Sequence, residues 1–257
     1  MKITKLLALT LIALATAAGS ANAGVAAKNP SAPSDAIALV DDSLGFSISG
    51  GYDSKYIFRG VDFGDNLLWG SLSIPIKITD KLTFTFAPWY GNIADGEYDE
   101  LDVAAGFSYD LGFATLGLGY TWYYFPFSGF DTNEPNVTFQ TCLGAIGACK
   151  INWFSGAFCD FEADAGDEGW YFETGLNTTI ALTDSVSLVP EARVTYATDY
   201  YGQDGFNNVL VKLGAPIALT KTATLTPYIA GSIALEALDG IGQDSELIGG
   251  VSLTVTF

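Results

Sequence analysis

From Leu44 to Phe257 apolar and polar side chains alternate in run after run, and no stretch there reaches the roughly 18 consecutive apolar residues of a membrane-crossing helix. A period of two sends neighbouring side chains to opposite faces of a strand. On the first such run Phe46, Ile48, Tyr52, Tyr56 and Phe58 share one parity, while Ser47, Ser49, Asp53, Lys55 and Arg59 share the other. The pattern continues over Leu67–Ile78, Leu82–Tyr90, Leu101–Tyr109 and Phe113–Tyr124, and then over Trp170–Leu182, Val186–Tyr196, Val209–Leu219, Ala223–Leu235 and Leu247–Phe257. That predicts ten strands, an even number. The irregular stretch Phe125–Glu168 reads as a long loop that either folds over one end or adds a hairpin, which would make twelve.

The connections alternate in length. Thr79-Asp80-Lys81, Asp110-Leu111-Gly112, Thr183-Asp184-Ser185 and Thr220-Lys221-Thr222 are tight turns. Between them fall longer polar connections at Gly60–Asn66, Gly91–Glu100, Phe125–Glu168, Asp199–Asn208 and Glu236–Glu246. Short turns at one end and long loops at the other are the plan of an outer-membrane barrel, with the short end periplasmic. The tight turns also echo one another, from Ile78-Thr79-Asp80 to Leu182-Thr183-Asp184 and Leu219-Thr220-Lys221.

The chemistry of the two faces decides what surrounds such a sheet. A soluble barrel keeps its apolar face inside. Here one face is Leu, Ile, Val, Phe, Tyr and Trp, and the other is Ser, Thr, Gly and Ala with scattered charges. Small polar residues suit a wet lumen, so the apolar face must meet lipid, and in lipid the sheet has to close to satisfy its backbone. The expected fold is an all-β, transmembrane, antiparallel up-and-down barrel over residues 44–257. Tyr52, Tyr56, Phe58, Trp89, Tyr90, Tyr109, Trp122 and Trp170 lie near strand ends, where aromatic rings sit at lipid–water interfaces.

The N-terminus fits export. Lys2 and Lys5 precede the apolar run Leu6–Ala18, and Ala21-Asn22-Ala23 offers small residues for cleavage, so residues 1–23 read as a signal peptide. Residues 24–43, rich in Ala, Ser and Pro, read as a periplasmic tether. Phe257 ends an amphipathic strand, the form of a signal read by the barrel assembly machinery.

A net charge of −18 disfavours nucleic acid, whose backbone is held by clustered Lys and Arg. The chain has no His, and no nucleophile–base constellation stands out, so catalysis is not expected. No cofactor or metal is expected either. Asp160-x-Glu162-x-Asp164 lacks the Gly and Glu of a calcium loop, and Cys142, Cys149 and Cys159 lack His partners. After export two of these cysteines can form a disulfide, with three pairings open.

With the apolar face outward, Asp53, Lys55, Arg59, Lys77, Asp102, Glu173, Glu191, Arg193, Lys212 and Glu246 face the lumen. Either they form a constriction that selects solutes by charge, or they pair to brace the wall. Asp99, Glu100, Asp131, Glu134, Asp160 and Glu162 are among the acids assigned to the outer loops, where they would concentrate cations.

Ser54-Lys55-Tyr56-Ile57-Phe58-Arg59-Gly60 resembles the opening strand of the TorF-type porin family. The resemblance covers about a dozen residues around that motif and implies an outer-membrane barrel with Arg59 as a matched residue. The function expected is a narrow passive channel for small solutes or ions with a cation preference, working as a monomer in outer-membrane lipid. The rival is a non-conducting barrel that serves adhesion or envelope structure through its extracellular loops.

Overall fold

The computed structural model describes residues 45–257 apart from 95, 97, 148, 165 and 166. The expected signal peptide and tether lie outside the described residues. Twelve long antiparallel strands form the wall: β1 (Ser47–Phe58), β2 (Val61–Lys77), β3 (Leu82–Ile93), β4 (Asp99–Asp110), β5 (Ala114–Phe125), β6 (Phe130–Ile146), β7 (Cys149–Asp164), β8 (Asp167–Thr178), β10 (Ser187–Tyr200), β11 (Gln203–Gly214), β13 (Ala223–Ala234) and β14 (Glu246–Thr256). Two short pieces, β9 (Ile180–Ala181) and β12 (Ile217–Ala218), continue β8 and β11 towards their turns, and α1 (Glu236–Gly240) lies between β13 and β14. Each long strand pairs with the next, and β1 pairs with β14 from Ser47↔Thr256 to Asp53↔Gly250, so the sheet closes on itself.

At the seam the Phe257 amide donates to the Phe46 carbonyl at 2.9 Å, the Gly45 amide donates to the Phe257 carbonyl at 2.8 Å, and the two Phe rings stack 4.8 Å apart. Closing the last backbone pairs leaves no sheet edge for lipid to meet.

The alternation reads out as an apolar exterior. Ile48, Leu68, Ile76, Leu118, Leu176, Val211, Ile229 and Leu253 are exposed on the outer wall. Tyr52, Tyr90, Tyr109 and Trp170 are exposed as well. Tyr56 and Trp89, also expected at an interface, are instead buried inside with Leu67, Trp69 and Ile93, and Phe58, expected there too, packs against the same cluster. Around Tyr56 the strand is irregular, with the β1–β2 register shifting at a bulge between Tyr56 and Ile57, so the strict alternation read from the sequence does not hold there.

The expected loop Phe125–Glu168 is a hairpin of two long strands, β6 and β7, and the barrel has twelve strands rather than ten. Pattern reading misses it for two reasons. The outer part of β6 carries Asp131, Asn133 and Pro135 on its outward face. On β7 the parity inverts, with Phe154 and Phe158 inward and Ser155 and Ala157 outward. The connections expected at Gly60–Asn66, Gly91–Glu100 and Asp199–Asn208 are also shorter than expected, because the strands run on into them, while the one between β13 and β14 keeps its length. β1 and β2 are joined by Arg59-Gly60 alone, and β10 and β11 by Tyr201-Gly202 alone. All four residues have positive φ (51° and 86°, then 50° and 77°), the two-residue turn that matches the twist of a hairpin.

The echoing turns have one physical cause. In each, a Thr hydroxyl accepts from the next two available amides at 3.2 and 3.0 Å: Thr79 from Lys81 and Leu82, Thr183 from Ser185 and Val186, Thr220 from Thr222 and Ala223. Replacing any one of them by Val keeps the shape and removes the acceptor. Each substitution should cost about 0.5–1.5 kcal/mol in reversible urea unfolding in lipid, while Asp80→Ala beside the first should cost almost nothing.

Candidate functional site in the lumen

The lumen has two halves. Towards the short turns its wall is Ser47, Ser49, Ser71, Ser73, Thr83, Thr85, Thr226 and Ser252, half-buried residues that leave space between them. Their hydroxyls bond along the wall, as Ser49 Oγ does with Thr254 Oγ1 at 2.8 Å. Towards the outer end the lumen is filled.

The filling begins with the tip of the β1–β2 hairpin. Arg59 leans across the barrel, and its guanidinium forks onto Glu134 of β6, with Nη2 to Oε1 at 2.7 Å and Nη1 to Oε2. Tyr123 of β5 donates to the same carboxylate at 3.0 Å, and Tyr200 of β10 lies between the two charges. Four rings, those of Phe58, Phe158, Tyr171 and Tyr200, stand 4.5–4.9 Å from the guanidinium carbon. Arg59 is 5% exposed and Glu134 0%. The tip backbone is also held: Asn207 Nδ2 donates to the Arg59 carbonyl at 2.7 Å, and Gly60 lies against Leu238 of α1, where any β-carbon would sit 2.4 Å from Leu238 Cδ1.

Beside this knot lies a second polar cluster. Arg193 pairs with Glu173 at 2.8 Å and approaches Glu191 at 3.6 Å. Lys212 sits opposite Glu191 in the β10–β11 register; its Nζ is 4.2 Å from the centre of the Tyr228 ring and makes no hydrogen bond. Tyr228 donates to Asp53 at 2.7 Å, and Trp69 Nε1 donates to the other Asp53 oxygen at 3.0 Å. Gly250 makes room for this arrangement, since a β-carbon there would lie 2.2 Å from Asp53 Oδ1. A cavity of about 60 Å³ separates the cluster from Arg59, lined by Tyr171, Glu173, Arg193, Asn208, Lys212 and Tyr228 among others, with room for a few waters.

The ten lumen charges read from sequence therefore fall into groups. Asp53, Glu173, Glu191, Arg193 and Lys212 come together. Lys55 bridges Asp62 at 2.6 Å and Glu246 at 3.2 Å. Asp102 is buried on the same face of β4 as Glu100. Lys77 belongs to none of these groups: it is 69% exposed at the inner rim, 3.5 Å from Asp80.

Sequence reasoning misplaced Glu100, Glu134 and Asp160 in solvated outer loops, and all three are buried. Tyr56 and Tyr98 donate to Glu100 at 2.5 and 2.9 Å, and Thr132 donates to Asp160 at 2.5 Å. Tyr98 lies in the β3–β4 connection, where burial first and then the Glu100 carboxylate raise its hydroxyl above the ordinary value, so it remains a donor. The parity of Glu134 with Thr132, Asn136 and Thr138 was the available signal, but it could be used only once β6 was known to be a strand.

The three cysteines are free. Cys149 and Cys159 are separated by ten residues of β7, about 33 Å of strand, so these two cannot meet. Cys142 donates to the Gly144 carbonyl at 3.4 Å. Among the described residues no group of three acidic, Cys or His side chains is placed to hold a metal.

No protein-family model and no curated protein matches the sequence. Solved structures do match. The fold is that of an outer-membrane β-barrel. The NanC porin is similar with a TM-score of 0.55 and 11% identity, over 82% of this chain and 100% of that one. An outer membrane channel from Pseudomonas putida F1 gives a TM-score of 0.59 and 12% identity, over 88% and 99%. The KdgM porin gives 0.52 and 8%, over 82% and 99%. At these identities the likeness speaks for the architecture.

Removing one partner of a buried ion pair strands the other. Arg59→Met or Glu134→Gln alone should destabilise the barrel by about 3–5 kcal/mol. The double variant should lose at least about 2 kcal/mol less than the sum of the two, read from urea midpoints in a double-mutant cycle.

Proposed function

We propose that the protein is a monomeric outer-membrane barrel that works as a narrow, porin-like passive channel for small solutes, with a preference for cations. The reading is supported above all by the inner half of the lumen. A barrel with a purely structural task has no use for a hydroxyl-lined vestibule left half-exposed, whereas a solute path requires one. The preference for cations rests on charge. Asp53, Glu100, Asp102, Glu134, Asp160, Glu173 and Glu191 are buried around the lumen, against Arg59, Lys212 and the nearly buried Arg193. An excess of fixed negative charge in a low-dielectric wall favours cations and repels anions.

The resemblance of Ser54–Gly60 to the TorF-type porin family agrees with this reading. In the same reading outer-membrane lipid surrounds the belt, a cleaved signal peptide delivers the chain to the envelope, and the barrel assembly machinery takes Phe257 and the closing strand as its signal.

The filled outer half favours a second reading, a non-conducting barrel that displays its outer connections. Planar-bilayer recording separates the two. On the channel reading the refolded wild type gives small cation-selective steps, Arg59→Ala enlarges them several-fold, and Arg193→Glu moves the reversal potential further towards the cation's. Silence from folded wild type and from folded Arg59→Ala alike would leave the second reading.

A further inference from the structure

The surroundings of Arg59 are unusual for a structural ion pair. Four aromatic rings enclose one planar cation, and a carboxylate presents both oxygens to it in the fork geometry that suits a guanidinium. Tyr123 and Tyr200 hold that carboxylate in place. Phe158, Tyr171, Tyr123, Tyr200 and Glu134 all belong to the fixed barrel wall, on β5, β6, β7, β8 and β10. The cation comes from elsewhere, from the two-residue turn, and the fourth ring, Phe58, comes with it at the end of β1.

That delivery has a cost. Arg59 holds a φ of 51°, a conformation that non-glycine side chains adopt at a penalty of about 1–3 kcal/mol. Its Nε makes no hydrogen bond although it is buried. Arg59 and Tyr171 of the cage also line the 60 Å³ cavity. A largely wall-built receptor for a guanidinium, occupied by a tethered and strained side chain and bordering a small cavity, has the form of a ligand site closed by an internal stand-in.

We propose that the Arg59 cage is a recognition site for small guanidinium-bearing solutes, which displace Arg59 from Glu134 and the rings of Phe158, Tyr171 and Tyr200 and thereby release the β1–β2 tip. The proposal rests on the channel reading for its physiological meaning, since the displaced tip is what fills the outer lumen. The binding event itself does not depend on conduction, so the two can fail separately.

Butylguanidinium and its neutral isostere butylurea are the probes. With the wild-type barrel in detergent micelles, hydrogen exchange at the amides of residues 59–61 is followed by mass spectrometry. Butylguanidinium should accelerate that exchange by about tenfold or more at saturation, while butylurea leaves it unchanged, because the cage binds the cation and not the neutral plane. Equal effects of the two, or none from either, would overturn the proposal.

A second measurement removes the stand-in. Folded Arg59→Ala, checked by its heat-dependent mobility on gels, should bind butylguanidinium calorimetrically at least about tenfold more tightly than butylurea, and Arg59→Ala/Glu134→Gln should lose that difference. In proteoliposomes the wild type should admit butylguanidinium faster than butylurea, and Glu134→Gln should erase the ratio. Should no solute enter at all, the channel reading fails while the exchange result still decides the cage.

Discussion

Lipid offers no hydrogen bonds, and from that the rest of the molecule follows. A sheet in hydrocarbon must pair every strand on both sides, so the first strand has to find the last. Here it does so over Ser47–Asp53 and Glu246–Thr256, and the Phe46–Phe257 stack seats the final turn of the seam. Closure of this kind fixes the number of strands, and the number of strands fixes how much space lies within. Twelve strands enclose more than wall side chains can fill. The protein answers differently at its two ends, leaving the inner half lined with hydroxyls and filling the outer half with a hairpin tip and the rings it meets.

The filling depends on side chains that lie flat. Lumen-facing glycines stand beside the large rings, Gly51 beneath Trp69 and Gly250 beneath Tyr228, where any β-carbon would collide. Without them Trp69 and Tyr228 could not reach Asp53 together, and Lys212 would lose the ring that shelters it. The polar clusters of the lumen are thus built from the wall inward: first a bare backbone position, then a ring laid over it, then a carboxylate oriented by the ring's donor.

Much of this plan was legible in the residues. Strand parity placed Asp53, Glu173, Glu191, Arg193 and Lys212 on the inner face, because wherever a strand touches lipid its two faces must differ in kind. What escaped notice lies where that pressure lapses. The outer part of β6 rises past the apolar belt, so Asp131 and Asn133 can face outward and the alternation disappears. β7 turns Phe154 and Phe158 to the lumen, which inverts its parity there. The bulge at Tyr56 is a backbone choice that composition does not record. The first two failures hid the partners of Arg59, because Glu134 and Phe158 lie on the unrecognised hairpin, and the third hid the hydrogen bond from Tyr56 to Glu100.

The chemistry of the outer closure sets how firmly it holds. An apolar plug of the same size would bury its surface at full hydrophobic gain and stay shut. A buried ion pair gives up most of its Coulombic attraction to the loss of two hydration shells, and its net contribution is small even though breaking it from one side is costly. The four rings lower that desolvation loss by facing the cation with their electron-rich surfaces. The strained φ of Arg59 works against them. A closure assembled from large opposing terms is specific in its geometry yet shallow in its net depth. A cation that brings the same contacts without the strained turn competes with it on favourable terms, whereas a neutral solute can offer Glu134 hydrogen bonds but no compensating charge. Charge, rather than size, then decides what can unseat the tip.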